Sequence, residues 1–152
     1  SIMPDIIYTC RPATDAETSH TIAHLKAHTE ASTGVEVRYE PFAITAYEGN
    51  HLIGSIIGKI YSGWMHMDLV WVDEAHRRRG IGRQLIEHSI AEAEKHTLSG
   101  IEVWTQSWQA PEFYLRTGFS EFAVLEDFLP GRKRHIFFFF FTYNRNFLPH
   151  MV

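Results

Sequence analysis

One cysteine, Cys10, stands among 152 residues, so neither an internal disulfide nor a cysteine zinc cluster can form. No apolar run reaches the length of about eighteen residues that a membrane-spanning helix needs. Neither sign of charge dominates: 14 Lys and Arg against 18 Asp and Glu leave a net charge of −4, which argues against nucleic-acid binding by bulk charge. Repeats and low-complexity linkers are missing as well. The N-terminus lacks the charged start and apolar core of a signal peptide, so a cytoplasmic setting is expected. What is present is 45% apolar and 14% aromatic residues, ample for one packed core, and residues 1–152 are expected to form a single domain.

The basic residues are bunched rather than spread, at Arg77 to Arg83 and at Arg132-Lys133-Arg134. Arg77, Arg78, Arg79 and Arg83 surround Gly80-Ile81-Gly82, directly after the apolar stretch Val70-Trp71-Val72. A strand running into a glycine-bearing turn and then a helix collects the unpaired N–H groups and partial positive charge of a helix start. With full charges added, the segment is a candidate cradle for a pyrophosphate. Two familiar phosphate loops do not fit. Position 85 is Leu, so the third glycine of a dinucleotide fingerprint is missing, and no Gly-Lys-Ser/Thr follows.

Elsewhere the pattern reads as alternating elements. Ile6–Cys10 is expected as a first strand. Thr14, with Glu17 three residues on, forms a capping box for a helix to about Glu30, stopped by Ser32-Thr33-Gly34. Val35–Tyr39 is a short strand or an irregular wall. Phe42–Tyr47, His51–Tyr61 and Trp64–Val72 read as an antiparallel meander. A helix from Gly80 to about Thr97 puts Ile81, Leu85, Ile86, Ile90 and Ala93 on one face. The strand Ile101–Thr105 then returns parallel to Trp64–Val72. Pro111 opens a short helix that Gly118 ends. Phe119–Leu125 and His135–Tyr143 are the last strands. The run Phe137–Phe141 predicts a strand covered on both faces or set against another subunit, so a homodimer is expected.

The pattern Arg77-x-x-Gly80-x-Gly82 after an apolar strand resembles the acetyl-CoA signature of the GNAT family of N-acetyltransferases. Gln109-Ala110-Pro111-Glu112-Phe113-Tyr114-Leu115-Arg116-Thr117-Gly118-Phe119 is similar to a second motif of that family, in the correct order. The likeness covers roughly Pro41 to Tyr143. It implies an α/β fold with a mixed, mostly antiparallel sheet of six or seven strands, flanking helices and a splayed central strand pair. It implies acetyl-CoA as co-substrate, held by Val70, Trp71 and Val72 along the strand edge. Arg77, Arg78, Arg79, Gly80, Ile81, Gly82 and Arg83 would hold the pyrophosphate. The Val70 amide would polarise the thioester carbonyl, and Tyr114 would protonate the departing thiolate. Ser107 stands where the family often has an asparagine that contacts the cofactor.

The implied reaction is direct acetyl transfer to a primary amine of a small molecule, peptide or protein. A lysine-like amine is neutral in only about one molecule in 2,500 at pH 7, so a proton acceptor is useful. Histone-acetylating members carry a glutamate eleven residues before the first motif arginine; here that position is His66. An imidazole suits the task. Asp68 lies two residues on, on the same face of a regular strand, where it could orient His66 or act itself. Glu36, Glu40, Trp64, Trp104 and Trp108 are candidates to shape the acceptor pocket. His20, His24 and His28 form a helical stripe, but nothing completes a metal set, and no metal is expected. Other readings are a CoA-binding sensor without turnover and a transferase using a different acyl-CoA.

Overall fold

The computed structural model describes residues 3–106 and 110–142. The chain divides after Val37 into two compact units. The first contains helix α1 (Asp15–Thr33), whose start follows from its sequence. The Glu17 N–H donates to Thr14 Oγ1 at 3.1 Å, and the Thr14 N–H donates to Glu17 Oε1 at 2.9 Å. At the far end Gly34 takes a left-handed φ of 70° and its N–H closes on the Glu30 carbonyl. The expected strand at Ile6–Cys10 does not form; the segment is irregular, and Ile6, Ile7 and Tyr8 are exposed. Apolar, β-branched residues alone do not make a strand without a ladder to join.

The second unit holds a six-stranded sheet and two helices. Its elements are β1 (Tyr39–Glu48), β2 (His51–Tyr61), β3 (Trp64–Val72), α2 (Ile81–Lys95), β4 (Gly100–Gln106), α3 (Glu112–Arg116), β5 (Ser120–Leu129) and β6 (Arg132–Phe140). The strand order is β1-β2-β3-β4-β6-β5. Every neighbouring pair is antiparallel except β3–β4, the two strands joined through α2. Val35–Arg38 is irregular rather than strand, and β1 starts at Tyr39.

One face of the sheet carries the core. Met65, Met67, Ile101, Val103 and Phe137 are buried there with Leu85 and Ile86 of α2. Ser89 is buried among them, its hydroxyl satisfied by the Leu85 carbonyl at 3.1 Å. The Phe-rich strand β6 lies inside the sheet, between β4 and β5. Phe137 fills the core, while on the other face Phe138 stacks on Phe122 with ring centroids 4.4 Å apart. Among the described residues no helix is long and apolar enough to cross a membrane.

Two irregularities in β3 shape everything downstream. The register with β2 runs Ile57↔Leu69 and then Gly58↔Met67, so Asp68 is a bulge without a partner. The bulge moves the inward phase by one residue: Met65 and Met67 point inward before it, Val70 and Val72 after it. Gly58 is required opposite, because a Cβ there would stand 2.0 Å from the His66 carbonyl oxygen. The second irregularity is that pairing with β4 ends at Met67↔Val103, although β3 continues to Val72 and β4 to Gln106. The two strands therefore part at the bulge.

Candidate active site

The open strand pair leads at one end to the glycine–arginine turn. After β3 the chain makes one 3-10 turn, Glu74–His76, and enters the segment before α2. Arg78 and Gly80 both adopt left-handed φ values, 66° and 75°. Conformations of this kind curl successive N–H groups toward a common side. Gly80 is the N-cap of α2 and supplies no capping side chain, so the first N–H groups of the helix stay open to an anion.

The two glycines do different work. A Cβ on Gly80 would meet nothing within 4 Å, so its requirement is conformational. A Cβ on Gly82 would come 3.3 Å from the Phe113 ring and 3.6 Å from Val72, so its requirement is packing. That contact ties α3 to the start of α2.

The arginines around the turn also differ. Arg79 pairs with Glu48 at 2.9 Å, and Arg83 with Glu87 at 3.2 Å. Arg77 and Arg78 make no ion pair among the described residues. Glu48 also approaches His76 Nε2 at 3.3 Å, while His76 Nδ1 lies 2.6 Å from Asp73. The Asp73 bond, reinforced by Glu48, raises the His76 pKa above its ordinary value, and Arg79 followed by His76 lowers that of Glu48. The composition of the turn did not reveal this brace, since Glu48 comes from the end of β1. Backbone donors at the turn, free arginine charge and an open strand edge fit a pyrophosphate-bearing, extended co-substrate. Of the segment expected to hold it, Val70 and Val72 turn toward the core, and Trp71 is 47% exposed on the other side.

Tyr114 lies on α3, buried against Phe113, Phe119 and Phe137, the last stacked at 5.6 Å. Its hydroxyl has no hydrogen-bond partner among the described residues. Burial pushes the phenol from 10 up to about 12, which keeps it protonated through neutral pH. The group therefore carries its proton at neutral pH and cannot serve there as a base.

At the parting of β3 and β4, on the face opposite the α2 core, is a cavity of about 210 Å³ lined by Lys59, His66, Asp68, Glu102, Trp104 and Arg134. His66 and Asp68 both reach it, but they are not partners of each other. Asp68, displaced by the bulge, is held by Lys59 Nζ at 2.9 Å. His66 Nδ1 instead lies 3.5 Å from Glu102 Oε1, its direct cross-strand neighbour on β4. The Trp104 indole N–H donates to the same oxygen. The expectation that Asp68 orients His66 is thus corrected. Regular alternation along β3 is broken by the bulge, and the lysine across the ladder takes the carboxylate. The sequence does not single out Glu102, and marks Arg134 only as part of the basic run Arg132-Lys133-Arg134; only the parallel register of β3 with β4 brings Glu102 to His66.

Of the other expected residues, Trp104 lines the cavity and Trp64 packs beside Phe138 and Phe140. Glu40 pairs with Arg38 at 2.9 Å and does not line the cavity. Ser107 and Trp108 lie outside the described residues. The His20 and His24 rings lie tilted to each other with centroids 4.1 Å apart, and no metal-holding cluster occurs among the described residues.

The profile of the Acetyltransferase (GNAT) family matches residues 7–119. A blasticidin-S acetyltransferase of Streptomyces morookaense is 38% identical over 90 residues, 59% of this chain and 66% of that protein. The match thus spans slightly less than two thirds of that relative. Among solved structures, an acetyltransferase of Bacillus cereus superposes with a TM-score of 0.77 at 26% identity, over 88% of this chain and 98% of that one. A Bacillus anthracis protein assigned as a streptothricin acetyltransferase, solved with acetyl-CoA, gives 0.60 at 22% identity over 68% and 64% of the two chains, a likeness of fold. The chain belongs to the GNAT family of acetyltransferases, which use acetyl-CoA.

Proposed function

We propose that this chain is an N-acetyltransferase that moves the acetyl group of acetyl-CoA to a primary amine within a ternary complex. The observation that carries the reading is the parting of β3 from β4 beyond Met67↔Val103. It leaves the β3 edge open between the bulge, where the side-chain cavity lies, and the strand end that leads into the glycine–arginine turn.

Acetyl-CoA supplies an acyl group activated as a thioester. The turn from Arg77 to Arg83 would hold its pyrophosphate, and the edge from Val70 to Val72 its extended arm. His66 removes a proton from the acceptor nitrogen, with Glu102 holding the imidazole in place. The nitrogen–carbonyl bond forms and the carbon–sulfur bond breaks. The Val70 N–H serves as donor to the carbonyl oxygen, a role typically worth ~3 kcal/mol. Tyr114 gives its proton to the leaving sulfur. An acceptor arriving as an ammonium sheds one proton through His66 to solvent before attack and a second as the nitrogen–carbonyl bond forms, so the thiol gains one proton and one is released overall.

The single-domain reading is supported by a family match that runs from residue 7 to residue 119, across both units. Association of two copies belongs to the same proposal. It is supported by the edge strand β5, where Phe122 and Leu129 are 66% and 48% exposed; sedimentation as a monomer at high concentration would remove it. A cytoplasmic setting is supported by a chain that can form no internal disulfide.

The test is calorimetric titration with acetyl-CoA and free CoA, followed by an amine panel with thiol release as readout. Likeness to the blasticidin-S enzyme puts blasticidin S first in that panel. Micromolar binding with turnover is expected. Binding without turnover on any amine would make the chain a CoA sensor, and no binding would overturn the reading.

A further inference from the structure

The charges lining the cavity do not cancel in pairs. Lys59 holds both oxygens of Asp68, at 3.0 and 2.9 Å. His66 has Glu102. Arg134 is left over: it makes no ion pair among the described residues, and its Nε is buried without a hydrogen-bond partner. Its guanidinium carbon stands 4.4 Å over the Trp104 ring and 4.8 Å over the Phe128 ring.

Aromatic rings engage a guanidinium through its face. They do nothing for its five N–H donors, which radiate in the plane of the group. An arginine held this way keeps its planar fork for a carboxylate, with rotamer freedom already spent on the stack. It cannot shed its charge to escape the mismatch, because guanidinium stays protonated in proteins. The same cavity presents His66 and Glu102 on β3 and β4, so an amine and an anion would be recognised at one place from opposite strands.

We propose that Arg134 binds a carboxylate carried by the acceptor close to its amine, so that the acceptor class is an amino acid or a molecule with an amino-acid head. A cavity of about 210 Å³ suits such a head rather than a whole large molecule. The proposal rests on the acetyl-transfer reading above. It goes further by naming the acceptor's second functional group and the residue that selects it.

The experiment compares α-, β- and ω-amino acids with their carboxamides, rates being expressed per free amine because the amide lowers amine basicity. The acid is expected to exceed its amide about tenfold in kcat/KM, the difference lying in KM. Arg134→Met should collapse that acid-to-amide ratio to about one. Arg134→Lys, which keeps the charge but not the fork, should retain part of it. Equal use of acid and amide by the unaltered protein overturns the proposal, as does an unchanged ratio in Arg134→Met. If acetyl-CoA binds but no amine is acetylated, the transfer reading is what fails. Calorimetry of the same acid and amide on the CoA-loaded protein then decides the carboxylate site. Tighter binding of the acid, lost in Arg134→Met, supports it, and no difference overturns it.

Discussion

The turn from Arg77 to Gly82 and the cavity at the parting of β3 and β4 are the two ends of one opening, built by contrary means. The turn is contiguous in sequence and works through backbone: left-handed Arg78 and Gly80, and a helix start with no capping side chain. The cavity works through side chains drawn from β2, β3, β4 and β6, none adjacent in sequence across strands. A backbone site recognises what every molecule of a co-substrate shares, and tolerates change in the residues around it. A side-chain site placed by register changes its chemistry with one substitution or one bulge. The proposed reaction accordingly assigns its invariant co-substrate to the turn and its variable acceptor to the cavity.

Tyr114, on α3 beside the Phe113 that packs on Gly82, gives the largest expected effect. Tyr114→Phe removes only the hydroxyl, leaving the stack with Phe137 in place. Turnover should fall about a hundredfold, within the range for loss of a general acid, while acetyl-CoA affinity stays within about twofold. Single-turnover thiol release and calorimetry separate the two, and an unchanged turnover would reduce Tyr114 to a packing residue.

The next comparison sets the two carboxylates of the cavity against each other. Glu102→Gln should lower kcat about tenfold with little change in the KM for acetyl-CoA, since it replaces the carboxylate beside His66 with a neutral amide. Asp68→Asn should change kcat less than about twofold, because it disturbs Lys59 rather than His66. The reverse ranking would restore Asp68 as the orienting group.

At the turn, Gly80→Ala places a side chain at φ 75° without any clash. A turn that relaxes away from this strain of about 1 kcal/mol in the free protein must be restored on binding, so acetyl-CoA should bind about fivefold more weakly with the amine KM unmoved. An equal loss in both would mean that the two ends are not separable.

The contrast also explains what could be read beforehand. The capping box at Thr14, strands β2 and β3 and the parallel return to β4 were visible because each depends on local residue order or a short period. The turn was visible for the same reason. The bulge at Asp68 was not, since it arises from how β3 meets Gly58 across the ladder. Missing it put Asp68 beside His66 and hid Glu102. Arg134 was noticed only as one of a basic cluster, because its meaning comes from Trp104 and Phe128. The signal that would have found Glu102 is the pairing of Trp64-Met65-His66 with Gly100-Ile101-Glu102, once those strands are known to be parallel and in register.

The smallest expected effect tests whether the turn is braced by charge as well as by backbone. His76 bonds Asp73 at 2.6 Å and Glu48 at 3.3 Å, and Glu48 also holds Arg79. The His76 pKa is raised above 6.5, first by Asp73, so its contribution is full below 6.5 and is lost as pH rises through the folded value. The Glu48 pKa is lowered below 4.5, first by Arg79, so its contribution is full above 4.5 and is lost as pH falls through the folded value. The brace is therefore complete in mildly acidic solution and weakens on either side. These groups are solvent-accessible, so salt should weaken it too. In an NMR titration the His76 ring protons should turn over above pH 6.5, and Asp73→Asn should bring the midpoint down further than Glu48→Gln. A His76 midpoint that ignores both substitutions would leave the turn held by its backbone alone, making its contrast with the side-chain cavity complete.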